Sequence, residues 1–422
     1  MFASLRIRNY RVFFTGQLIA NIGNWTQRIA QDWLVLTLTG SATAVGITTA
    51  LQFLPTLLLG PVGGSLADRY PKRTVLLTTQ TVIACCAAVL GTLVLTHTVR
   101  VEYIFAVATV LGLATAVDNP TRQSFAGELV GPGQLRNAIS LNSAAFQLGA
   151  TVGPAVSGVL IGWIGIGSAF VVNAASFGAS VFALTRVRTA DLHLTPRSAA
   201  GAMRAIDAAR TMHTRPQMWW PMVLAATFSL FTMNFPVTLA AFSATVFHGG
   251  PSGFALLTCM LAGGSVVGSL LAARRGPLRL RQLVTLAGAL ASAQLLAALA
   301  PGEVAFAAAL TVTGLASVMF GVSANATVQL AAGEQMRGRV MGIYLVAVFG
   351  AGCVGGPVVG AIIQHLGPRA GLLAGAVLPG LVTVAVALTL ARTGGIDVAA
   401  AVRGRVRSIG SSTRGAVVGW RH

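Results

Sequence analysis

Two charged residues stand four apart in an otherwise uncharged stretch, "GQLIANIGNWTQRIAQDWLVLTLTG", as Arg28 and Asp32. Gln17, Asn21, Asn24 and Arg28, followed by Gln31 or Asp32, recur every three or four positions, which on an α-helix is one face. A charge at the centre of a lipid-facing helix costs about 2.5 to 3.5 kcal/mol on insertion scales, so this face is expected to line water or protein, with Arg28 and Asp32 paired. The chemistry open to such a pair is proton exchange or counter-charge binding. Asp32 would carry it, and Arg28 would keep it ionised until substrate or a conformational change separates them. A static pair that orients its helix is the other reading.

Asp118 and Arg122 form a second such pair, with Pro120 between them, near the end of a later apolar run. That depth favours a gate over a binding site. Gln52, Asn142 and Asn234 are expected to line a cavity, with Gln147, Asn173 and Asn325 as weaker candidates. Each could instead bond a neighbouring helix.

The elements that must position these residues follow from composition. The 422 residues are 55% hydrophobic and 9% charged, with mean hydropathy +0.76, whereas soluble domains are about 25% charged. Runs of roughly 20 apolar residues cross a bilayer, and twelve are predicted, at 12–38, 43–66, 74–96, 101–122, 137–162, 168–186, 219–246, 251–273, 281–300, 304–330, 339–364 and 369–392. The first is too long and too polar for a cleaved signal peptide and is read as a retained span.

The net charge of +19 would suggest nucleic acid in a soluble protein. Here, with the N-terminus taken as cytoplasmic, 26 of the 29 Lys and Arg fall on one side, leaving Arg100 and Arg369 opposite and Arg28 within a span. That asymmetry predicts both termini inside and attraction to anionic lipid, not nucleic-acid recognition.

Several chemistries are excluded. Cys85, Cys86, Cys259 and Cys353 all lie in predicted spans, so neither a disulfide framework nor a metal site emerges. "GAGCVG" at Gly350 fits a dinucleotide pattern only literally, since no strand precedes it. Two glycosylation sequons, at Asn24 and Asn325, are membrane-embedded or at the inner face. No phosphate-binding loop appears, so an ion gradient is the remaining energy source. No cofactor is expected, and no loop gathers a nucleophile, base and orienting group for an enzyme.

The polar segment Arg186 to Gln217 divides six spans from six, giving an N-terminal bundle (1–186), a linker (187–217), a C-terminal bundle (218–392) and a basic tail (393–422). In the linker, Met203, Ile206 and Ala209 share a face opposite Arg204, Asp207 and Arg210, as an interfacial helix would; a loose loop is the alternative. The halves repeat. Gly112 superposes on Gly314, Gly149 on Gly352, Gly153 on Gly356 and Pro154 on Pro357, while "GGSLADRYPKRTVLL" has a worn copy in "GSLLAARRGPLRLRQLV". Two pseudo-symmetric six-helix bundles, all-α and membrane-integral, are implied.

These residues resemble the major facilitator superfamily, in particular its twelve-span drug and siderophore exporters of the macrolide-efflux and enterobactin-exporter type. The superfamily loop signature "GxLaDrxGrk" is met by Gly64, Leu66, Ala67, Asp68, Arg69, Lys72 and Arg73, with Pro71 where glycine is usual. The first span and "DNPTRQSFAGELV" also resemble that branch. Gly149, Gly153, Pro154 and Gly158 partly match the antiporter motif, from which Ser140 and Ser157 depart. With Gly356 and Pro357 they are read as a helix-packing and bending motif.

The resemblance implies alternating access, with two halves rocking about a central cavity. Asp68 would then face the positive N-terminal end of span 11, beside Arg337 and Arg339, and latch the outward-facing state, with Gly64, Arg69 and Arg73 in the same gate. A topology-only role explains the basic residues but not Asp68. Ala272 stands where the second half would carry its aspartate, so control should be lopsided.

The expected function is a secondary exporter of amphipathic small molecules (drugs, macrolides or siderophores) by proton antiport, acting as a monomer in a bacterial inner membrane, with small-molecule substrate, protons and lipids as partners. A lipid or metabolite transporter of the same fold is the alternative. A non-transporting sensor or scaffold is an alternative of another class.

Overall fold

In hydrocarbon every backbone N–H and C=O must find a partner within the protein, and runs of about 20 apolar residues, twice the length of a barrel strand, do so as helices. The computed structural model describes residues 3–193, 205–274 and 278–392, apart from side chains in short stretches that include 60–68, 205–209 and 337–339. Among the described residues there is no strand. The helices are α1 (Arg8–Thr39), α2 (Ala42–Arg69), α3 (Lys72–Leu95), α4 (Val101–Val130), α5 (Leu135–Trp163), α6 (Ile166–Thr185), α7 (Ala205–Thr214), α8 (Pro216–Thr232), α9 (Phe235–Ala241), α10 (Gly250–Arg274), α11 (Leu280–Ala298), α12 (Glu303–Leu366) and α13 (Pro368–Arg392).

Eleven of the described segments are long and apolar enough to span a membrane. The twelfth span is α1, whose polar face keeps its hydropathy low although half of its residues are buried against other helices. It ends at Gly40, whose φ of 62° lets its N–H cap the Leu36 carbonyl.

Two expectations are corrected. The seventh span is not one helix: α8 stops at Thr232, Asn234 opens α9 with Pro236 behind it, and residues Phe242–Val246 form a π turn. Proline has no N–H to continue α8, so the ladder restarts there. Spans 10 and 11 are not separated by a loop, since helical assignment runs unbroken through α12. Yet α12 must fold back. Phe320 packs against Phe228 of α8 while the Val348 carbonyl accepts from Ser229, the next residue. Along a straight helix Phe320 and Val348 would be about 42 Å apart.

The repeated glycines do repeated work. A Cβ on Gly112 of α4 would lie 2.7 Å from the Gln52 carbonyl of α2, and one on Gly314 of α12 would strike the Leu261 carbonyl of α10. Gly149 backs onto Asn21 of α1 as Gly352 backs onto Met233 beyond α8. The buried face of α3 (Leu76, Gln80, Ile83, Ala87, Leu90, Gly91) recurs 207 positions later on α11 as Leu283, Ala287, Leu290, Gln294, Ala297 and Ala298.

The core divides by depth. Toward the Arg-rich end it is two separate clusters. One holds Tyr10, Phe13, Leu76, Phe125 and Leu184 of the first six helices; the other holds Met212, Phe228, Leu283, Phe320, Tyr344 and Leu390 of the rest. Toward the opposite end the clusters are shared, joining Leu34, Val45 and Phe170 to Phe231, Val359 and Ile363, and Trp33 to Phe254 and Leu372. Met212 lies on α7, so the linker helix seats on the second half. The predicted stripe Met203, Ile206 and Ala209 lies outside the described residues and side chains.

Candidate functional site

The shared end is a close seam. Gly46 of α2 meets Gly356 of α12 backbone to backbone, Gly360 lies against Ala42 and Thr43, and the Ala42 N–H donates to Gln364 Oε1 at 3.0 Å. Cys353 Sγ reaches the Ala50 carbonyl at 3.4 Å. On the other side of the molecule Gly158 of α5 admits Ala255 of α10. The named contacts between α2 and α12 reach Leu57 and Gly350. Beyond them Leu58 and Val346 are 65% and 53% exposed, and a Cβ on Gly342 would touch nothing within 4 Å. Among the described side chains, no further contact between the two halves is named toward the Arg-rich end.

Arg28 stands where the seam gives way. Its Cζ lies 4.6 Å from the centroid of the Phe53 ring on α2 and 5.5 Å from that of Trp25, one turn earlier on α1. The Phe53 ring stacks on Phe349 of α12 at 6.3 Å and 26°, and Trp25 meets Phe146 of α5 edge-on at 5.7 Å.

The expected Arg28–Asp32 ion pair is not formed within 4.0 Å, whereas Lys72–Glu128 and Arg122–Asp118 do pair. Long helical side chains lean toward the N-terminus, which carries the guanidinium down to Trp25, and two ring faces replace the carboxylate. Asp32 is 2% exposed, and its Oδ2 has no hydrogen-bond partner among the described residues; Gln31 Nε2 is in the same position.

The polar face of α1 therefore splits. Gln17 is turned into the first bundle, its Nε2 donating to Ser180 Oγ at 3.3 Å and its Oε1 accepting from Arg122 Nη1 at 2.9 Å. Asn21 and Arg28 are half-buried, Asn24 is exposed, and Asp32 is enclosed. Gln27, which sequence reasoning passed over, accepts from Asn173 of α6 at 2.7 Å.

Asp118 and Arg122 do pair, at 3.7 Å, but not as a gate between halves. Asp118 accepts from Thr79 of α3 at 2.9 Å, and Arg122 donates to Gln17 and Asn119, so every partner lies within the first six helices. The pair ties α3, α4 and α1 together. Arg73 donates to the Leu184 and Thr185 carbonyls, capping α6. Arg69 is exposed. Lys72 bonds Glu128 of α4, a buried acid that the sequence analysis did not single out, although the basic cluster opposite it was visible.

Two expected cavity residues are packing residues. Asn234 is 0% exposed, its Nδ2 donating at 2.8 Å to the Leu230 carbonyl in the last turn of α8 and at 2.9 Å to the Gly352 carbonyl of α12. Asn142 accepts from the Tyr10 hydroxyl, joining α5 to α1. Gln52 is half-buried beside Phe53. Asn325 accepts from Gln329 within its own helix.

The Asp68 latch falls on side chains outside the described set, as do those of Arg337 and Arg339, and Gly64 lies in the same stretch. Gly149 and Gly153 pack on α1, while Gly158 faces the other half. The helices run on through Pro154 and Pro357. Among the described residues no His, Cys, Asp and Glu cluster could hold a metal.

Residues 1–404 match the family described as transmembrane secretion effector. The staphyloferrin A transporter of Staphylococcus aureus is 30% identical over 152 residues, 36% of this chain and 38% of that protein. This chain thus spans well under half the length of that relative. The multidrug efflux pump Tap of Mycobacterium tuberculosis is 24% identical over 400 residues, covering 90% and 93%. Among solved structures, a mutant of the nucleoside transporter NupG superposes with a TM-score of 0.71 at 14% identity, covering 90% of this chain and 98% of that one. A bacterial homologue of the iron transporter ferroportin in an inward-facing state gives 0.67 at 16%, with the same coverage. At such identities the likeness is one of fold.

Proposed function

Because this chain belongs to the transmembrane secretion effector family of the major facilitator superfamily, we propose that it is a multi-pass secondary transporter exporting amphipathic small molecules by alternating access. It works without catalysis of its own, as a monomer with both termini cytoplasmic in a bacterial inner membrane. The moving bodies are residues 1–186 and 218–392, joined by the linker 187–217. The observation that carries this reading is the depth-dependent core, with two clusters at the Arg-rich end and shared clusters at the other. With the Arg-rich end cytoplasmic, this is the inward-open state, and the seam of Gly46, Gly356 and Gln364 is the closed outer gate.

The driving ion is the proton and Asp32 its carrier. Asp32 is enclosed, with an unpartnered oxygen; of the helices packed on α1, α4 carries Glu102, Asp118, Arg122 and Glu128, while the stretches 42–67, 137–163, 166–185 and 235–241 of the others contain no Asp, Glu, His, Lys or Arg. The nearest other pair, Asp118 and Arg122, is engaged with Thr79 and Gln17. One charge moved through 100 mV supplies about 2.3 kcal/mol. Asp68 with Arg337 and Arg339 would close the cytoplasmic end in the opposite state.

Flux into membrane vesicles under an imposed pH gradient tests the reading. Gradient-driven uptake of a drug such as ethidium, abolished by Asp32→Asn, is expected. Uptake that ignores the gradient and the substitution would overturn proton coupling. Ligand binding without flux would favour a scaffold.

A further inference from the structure

Arg28 has two stations and occupies only one. Its guanidinium rests on the faces of Trp25 and Phe53 and forms no ion pair with Asp32, although positions four apart on a helix are neighbours. The vacant station is real, because Asp32 Oδ2 lacks a partner among the described residues. The occupied one is a surface that a ligand could use. Trp25 and Phe53 are half-buried at the point where α2 and α12 separate, and Phe53 is backed by Phe349 of the other half.

We infer that the two ring faces are the substrate's binding surface, that its preferred occupant is a flat aromatic body, and that such a body displaces Arg28 onto Asp32. This rests on Asp32 being the proton-binding carboxyl. A carboxyl oxygen holds a proton or a guanidinium, not both. When the ligand takes the rings, Arg28 moves to Asp32, and the proton on Asp32 leaves to water at the open end. When the ligand departs, Arg28 returns to the rings and Asp32 can take up a proton. No bond other than this O–H is made or broken. Substrate and proton thereby exclude one another without touching the same atom, as antiport requires. Of the charged and titratable groups on the elements packed against this part of α1, Glu102 of α4 and His365 of α12 are exposed, Arg369 of α13 donates to the Ala300 carbonyl, and Arg122 is held by Asp118, Gln17 and Asn119, while α2, α5, α6 and α9 bring no charge to this depth.

The test uses the purified full-length protein and ethidium, a planar aromatic cation. Binding is read by fluorescence, and proton release by an indicator dye in weakly buffered solution. The wild type should bind and release about one proton per ligand. Phe53→Leu should weaken binding about tenfold, and Phe53→Tyr should restore it; equal affinity in all three would overturn the inference. Arg28→Gln is the discriminating variant. With the rings vacated it should bind ethidium about tenfold more tightly, yet release no proton. Undiminished proton release from Arg28→Gln would overturn the swing while leaving Asp32 as the carrier. Binding by the wild type with no release, unchanged by Asp32→Asn, would overturn the carrier and with it the swing. Failure of the wild type to bind a flat aromatic cation would overturn the assignment of the rings.

Discussion

The Gly356 carbonyl lies so close to the Gly46 α-carbon that no side chain fits between them, and reciprocally a Cβ on Gly356 would sit 2.5 Å from the Gly46 carbonyl. Backbone cannot yield as a side chain can, so bulk here must push α2 and α12 apart. Forcing extra methylenes into a packed contact costs about 1 to 3 kcal/mol, enough to shift a two-state equilibrium by about fivefold to over a hundredfold; a leucine, among the largest aliphatic additions, belongs in the upper part of that range. Gly46→Leu should therefore open the seam. Cys353, buried in that seam, is a built-in reporter. With Cys85, Cys86 and Cys259 replaced by Ala, a membrane-impermeant maleimide added from the outer side should label Cys353 at least tenfold faster in Gly46→Leu.

Gln364 closes the same seam more gently. Its side-chain oxygen caps the first N–H of α2 from the other half, a contact of about 1 kcal/mol. Gln364→Ala should raise Cys353 labelling about fivefold. Gln364→Glu, which keeps the oxygen, should leave it near the parent rate.

Lys72 and Glu128 are nearly buried and bonded to each other across α3 and α4. Removing one partner strands the other, at a cost of about 3 kcal/mol. Glu128→Ala should lower the melting temperature by on the order of 5 °C. Adding Lys72→Ala should recover part of that loss, because no charge is then left alone.

Arg122 holds three helices through Asp118, Asn119 and Gln17. Arg122→Ala should cost about 2 kcal/mol of stability and reduce efflux in proportion to the folded fraction. Cys353 labelling per folded molecule should not change, since every partner of Arg122 lies in one half. A changed labelling rate would show that the pair does gate after all.

The spacing of Gln17, Asn21, Asn24 and Arg28 made the polar face of α1 legible, because a helix of 3.6 residues per turn fixes which side chains are adjacent. It could not show that Gln17 turns to Ser180 and Arg122 while Asp32 is enclosed, since those partners come from helices more than eighty residues away. Arg28 is the sharpest case. The sequence offered it one partner at the right interval, Asp32, and the fold offered two aromatic faces, one of them Phe53 from the next span. Glu128 went unread because an acid near a span end looks solvated until a lysine is seen against it.

The sequence by itself determined the solvent, the number of spans, the uneven placement of positive charge and the doubling of the bundle. Each follows from local properties, namely apolar length, charge and a repeated glycine pattern. Only the tertiary structure decided at which end the core clusters join the two halves, whether Arg28 and Asp32 touch, that Asn142 and Asn234 bond neighbouring helices, and that Asp118 is held by Thr79 and Arg122 within the first half. These depend on contacts between distant spans, and the same sequence must make a different set of them in each state of its cycle.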